Sequence, residues 1–144
     1  MKKLLTAFVA VVGLASCGST SHYVGGTIQE KTIYITTGRL GVIGDLKTEL
    51  RNHGWKIYGK PQKTLEQQNQ DKAVTYIGNA RYSLNWEYRT RDRHMLTWKP
   101  ILDLSLSLID NTTGEETLTY EAKRTEQGKC FSEFMQLLDE NSAK

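Results

Sequence analysis

The sequence is poor in the residues from which catalytic and metal centres are built: three histidines and two cysteines in 144 residues. His22, His53 and His94 stand far apart, with no H-x-x-x-H pair and no C-x-x-C pair to join them, which argues against a metal site. There is no G-x-S-x-G elbow, no phosphate-binding loop and no cysteine with an evident histidine partner, so no catalytic motif is present and no enzyme activity or cofactor is expected. The glycines Gly38, Gly41 and Gly44 have the spacing G-x-x-G-x-x-G, which is wrong for a dinucleotide fingerprint, and they read as a strand-to-helix turn. An excess of one charge is also missing. The formal charge is +3, and two of its contributors, Lys2 and Lys3, belong to the N-terminal run, leaving 17 basic against 16 acidic residues beyond it. Nucleic-acid binders carry a concentrated basic excess, so no nucleic acid is expected as a partner.

One long apolar run is present, at the N-terminus. Lys2 and Lys3 precede about ten apolar residues, too few to span a bilayer, and small residues follow, which is the layout of a signal peptide. The run closes on Leu14-Ala15-Ser16-Cys17. This block resembles the lipobox of bacterial lipoproteins at all four positions. The resemblance implies cleavage before Cys17 and a diacylglycerol thioether on that cysteine, with acyl chains such as palmitate fastening the protein to a membrane. Gly18 rather than aspartate at the next position points, by the sorting rule of enterobacterial lipoproteins, to a periplasm-facing anchor in the outer membrane. With Cys17 acylated, Cys130 has no partner for an internal disulfide and reads as a small buried residue.

The expected organisation is a signal peptide over 1–16, a lipidated N-terminus and flexible tether over 17–30, and one domain over 31–144. Within it, 31–37 is β-branched and aromatic and predicts a strand. Val42, Ile43, Leu46 and Leu50 share one helical face, with Asp45 near the start, Lys47 and Glu49 pointing elsewhere, and His53-Gly54 as the stop. Residues 55–59 give a short extended piece, and 63–72 a polar surface loop. Apolar residues then alternate along 74–88 and again through Leu102, Leu104, Leu106 and Leu108, predicting two long strands half covered by a core. Residues 110–114 are turn chemistry, 116–124 a returning strand, and Phe131, Phe134, Met135 and Leu138 mark a final helix. The fold class expected is α+β: a two-layer sandwich of a mainly antiparallel sheet of about four strands with two helices on one face. This order of elements is similar to that of small envelope-assembly lipoproteins such as the lipopolysaccharide-assembly family, but no shared motif accompanies it and no functional residue is implied.

The connection between the two long strands concentrates charge. Arg89, Arg91, Arg93, His94, Trp98 and Lys99, with Met95 and Leu96 among them, are the candidate contact for an anionic lipid or an envelope protein, because guanidinium forks match phosphate and carboxylate and an indole suits the lipid interface. The expected function is that of a non-enzymatic, lipid-anchored binding or assembly accessory. The competing reading is a small-ligand or glycan-binding domain that uses Tyr82, Trp86 and Trp55.

Overall fold

The computed structural model describes residues 18–35, 40–59 and 80–144. The elements in chain order are β1 (Ser19–Val24), β2 (Thr32–Ile35), α1 (Gly41–Asn52), β3 (Lys56–Gly59), β4 (Tyr82–Arg93), β5 (Pro100–Asp110), β6 (Glu116–Glu126) and α2 (Gln127–Glu140). The described strands form one sheet in the order β1-β6-β5-β4-β2-β3. The class is α+β as expected, but the sheet has six strands where about four were expected. It is mixed, because β2 runs parallel to both β3 and β4, and every other pairing is antiparallel.

The alternation along β4, β5 and β6 explains the core. Across the sheet, Leu84, Leu108 and Leu118 form one row, Trp86, Leu106 and Tyr120 the next, and Tyr88, Leu104 and Ala122 a third. These rows face the helices. From α1 come Val42, Ile43, Leu46 and Leu50, and from α2 Cys130, Phe131, Phe134, Met135 and Leu138, all in one buried cluster with the leucines of β5. Lys47, expected to point away, is buried beside them, since its aliphatic stem can cover apolar surface while its amine reaches outward. Helix α1 ends as expected: Gly54 takes φ +82°, and its N–H donates to the carbonyl of Arg51. Cys130 is a buried free thiol with its pKa pushed up to about 11, above all by burial.

The expected tether is corrected. Residues 19–24 pair with β6 from Ser19 opposite Lys123 to Val24 opposite Leu118, and Ile28 is buried with its N–H donating to Asn141 O and its carbonyl accepting from Ala143 N. All six side chains of β1 are exposed, so the strand is held by its backbone ladder and leaves no apolar pattern to read. Gly18 lies so close to β6 that a Cβ there would meet Arg124 O and Thr125 Oγ1 at 2.7 Å each. The polar residues 63–72 and the first part of the 74–88 alternation lie outside the described residues, as do Cys17 and the signal peptide.

The β5–β6 turn is fastened to the start of β4. Asp110 Oδ2 accepts from Arg81 Nε at 3.0 Å and Nη2 at 2.7 Å, its Oδ1 accepts from Thr112 N, and Gly114 closes the turn at φ +75°. Burial works against the Asp110 charge, but Arg81 and the Thr112 amide outweigh it and hold the carboxyl below its ordinary pKa. Hydrogen bonds to a largely buried charge are worth about 2 kcal/mol, and Asp110→Ala is expected to lose about that much stability at neutral pH. Because the folded-state pKa is depressed, the unfolded chain takes up the proton first on acidification. The stabilisation is therefore complete above about pH 4 and fades as the pH falls through the lower folded-state value. Urea melts of wild type and variant from pH 7 downward should show a gap that narrows only in that acid range.

Candidate functional site

Beyond the helices, β4 and β5 continue as a two-stranded ribbon. The segment 89–99, expected as a loop, is strand through Arg93, with β5 beginning at Pro100; the backbone pairing of the two strands runs on past Tyr88 although the core does not. The register slips between Thr90 and Asp92, so Arg91 sits in a bulge. Trp86 and Tyr88 stack at 5.5 Å and 24° where the ribbon leaves the core.

The structure distributes the predicted contact residues unevenly. Arg91 Nε and Nη2 each lie 2.5 Å from Asp103 Oδ2, while Asp103 Oδ1 accepts from Arg124 N at 2.9 Å. The Arg91 hydrogen bond first, and the Arg124 amide second, hold the Asp103 carboxyl below its ordinary pKa, so both stay charged at neutral pH. Arg91 thus has a structural duty at the ribbon's root. Lys99 Nζ is 3.5 Å from Glu126 Oε1, and Arg93 Nη1 donates to Trp98 O at 3.4 Å. At the tip, Trp98 N donates to His94 O and His94 N to Lys99 O, closing a turn in which Trp98 takes φ +56°. That left-handed conformation is costly for a bulky residue and persists only where its surroundings hold it. Met95 is 92% exposed, Leu96 88% and Trp98 72%. No other stretch among the described residues presents three such side chains within four positions.

A second feature escaped the sequence. A groove of about 800 Å³ runs between α1 and α2, with Phe131 and Met135 in its lining and Asp45, Glu49, His53 and Asp139 along it. Asp45 does not cap α1 but accepts from Gln127 Nε2 at 2.7 Å, bridging to α2. At the other end Asp139 binds His53 Nδ1 at 2.7 Å and Lys31 Nζ at 2.9 Å. Desolvation opposes the Asp139 charge, and Lys31 and His53 overcome it, leaving its pKa lowered. This cluster staples β2 and the ends of both helices; His53 and Asp139 are 86 residues apart, so no local spacing announces it.

The aromatics of the competing reading are placed differently. Trp55 and Tyr82 are 3% and 0% exposed and meet edge to face at 6.3 Å, and Trp86 packs against the same core. Trp55 and Tyr82 are filled core, which leaves them no face for a glycan, and Trp86 is half-buried beside them.

No family model matches the chain, and no curated protein does either. Among solved structures, a point variant of PelC from Paraburkholderia phytofirmans, a dodecamer, superposes with a TM-score of 0.54 over 88% of this chain and 99% of that one, at 18% identity. A second PelC dodecamer crystal from the same organism gives 0.50 and 17% identity with the same coverage. The likeness is one of fold. It extends over nearly the whole of the PelC chain in those crystals.

Proposed function

We propose that the protein is an outer-membrane lipoprotein, anchored on the periplasmic side through acylated Cys17, that serves as a non-enzymatic assembly accessory to another envelope component. The observation that carries this reading is the seating of Gly18 and β1 on β6. A chain that enters its sheet directly after the lipidation site holds the domain at the membrane in a set orientation, as a scaffold needs and a freely diffusing binding domain does not. The fold shared with a PelC dodecamer supports a further element, that copies of this chain associate with one another.

Sedimentation of the protein extracted from envelopes in mild detergent tests the proposal. It is expected to run as a multiple of the single-chain mass and to carry a specific envelope component with it. A monomer at every concentration, with nothing co-purifying, overturns it.

A further inference from the structure

We propose that the tip of the β4–β5 ribbon is a second membrane contact, entering the headgroup region of the bilayer that the acyl chains of Cys17 occupy. The inference deepens the lipoprotein reading and rests on it.

Its basis is where the chain's beginning lies. Gly18 packs against Arg124 and Thr125; Thr125 pairs with Leu102, and Leu102 with Thr90. Gly18, the residue that follows Cys17, is therefore at the ribbon's root, two strands away from Leu102. From the Thr90–Leu102 pair to the His94–Lys99 hydrogen bond that closes the turn, the ribbon extends about 10 Å further at the rise of an extended strand, with the turn residues beyond it. A bilayer tied to the chain one residue before Gly18 is within reach of that tip, and the ribbon points out of the same end of the sheet.

The tip's chemistry matches such a surface. Met95, Leu96 and Trp98 are almost fully exposed, an arrangement that costs hydration in water and gains by entering the apolar boundary of a membrane. Tryptophan is suited to that depth because its ring is apolar and its N–H is a donor. Arg91 and Lys99 are already paired with Asp103 and Glu126, but Arg89 and Arg93 also stand on the ribbon beside these side chains, where Asp92 is the one acid within 89–99. The aliphatic stems of Arg89 and Arg93 can lie along the acyl boundary while the cationic ends meet phosphate, so the charge favours anionic lipid. The left-handed backbone at Trp98, kept by two hydrogen bonds across the turn, fixes where the indole is presented.

The test uses full-length protein, processed in cells, purified and reconstituted in vesicles of phosphatidylethanolamine and phosphatidylglycerol with or without brominated acyl chains. Trp55 is buried and Trp86 half-buried, so subtracting the emission of Trp98→Phe isolates Trp98. The larger part of the Trp98 emission is expected to be quenched by brominated lipid and shifted to the blue. Replacing Met95 and Leu96 together by serine should weaken that quenching without detaching the protein. These side chains are exposed, so the fold has no reason to change. Equal emission with both lipids overturns the proposal. Shielding of Trp98 from aqueous iodide without quenching by brominated lipid also overturns it, by placing the tip against protein, whether a second copy or another chain. Intact mass reports acylation separately: a preparation lacking acyl chains refutes the anchor, while quenching on its addition to the same vesicles still decides the ribbon.

Discussion

Phe134→Ala is expected to lose about 3–5 kcal/mol of folding stability, the range for removing a large aromatic side chain from a filled core. Phe134 has no exposed surface, and its ring meets that of Tyr120 at 6.0 Å in a tilted contact. It projects from the middle of α2 into the same cluster as the β5 leucines. Little can relax into the space, because the sheet beneath is held by backbone pairing on both sides of β5. Domains of this size have about 5–15 kcal/mol in total, so the variant should unfold at a much lower urea concentration with the slope of the transition retained. Met95→Ala is the matched control. Met95 is 92% exposed, and its loss should stay within about 0.5 kcal/mol. A Phe134→Ala midpoint close to that control would mean that α2 does not cover the sheet as described.

The second large effect is all-or-none. Cys17→Ala should abolish incorporation of radiolabelled palmitate and leave the sixteen-residue leader in place, because alanine offers no sulfur for the thioether that the lipobox reading requires. Each acyl methylene is worth about 0.8 kcal/mol of membrane affinity, so the chains lost are the dominant hold on the bilayer. Intact mass is the decisive readout. The wild-type chain should begin at Cys17 and carry lipid, and the variant should begin at Met1 and carry none. An identical mass shift and identical labelling in both would remove the anchor, and with it the outer-membrane accessory role.

Several elements were legible before any tertiary structure. The leucines at 102, 104, 106 and 108 could only be one face of a strand, and they are buried in alternation. Phe131, Phe134, Met135 and Leu138 at helical spacing are the buried face of α2. His53-Gly54 stops α1 because glycine takes the left-handed conformation without a steric cost. Each of these signals comes from side chains that meet the core with the period of their own element.

The candidate contact residues were placed by composition in a loop, and their form was misjudged. Arg89, Arg91 and Arg93 belong to a strand because a ribbon can continue on backbone hydrogen bonds after the core has ended, and arginine carries no apolar signal of it. β1 was missed for the same reason, since a strand with every side chain in water is specified by the free edge of β6 and not by its own residues.

By itself, then, the amino-acid order determined the α+β class and the identity of the central strands and both helices, which are local patterns of polarity, and it is the sole source of the export and lipidation expectation. Tertiary structure alone decided the six-strand order, the joining of Lys31, His53 and Asp139, and the placement of Gly18 beside the root of a cationic, apolar-tipped ribbon. These depend on which distant segments find unpaired backbone or opposite charge once the core has drawn the chain together, and such meetings have no period along the sequence.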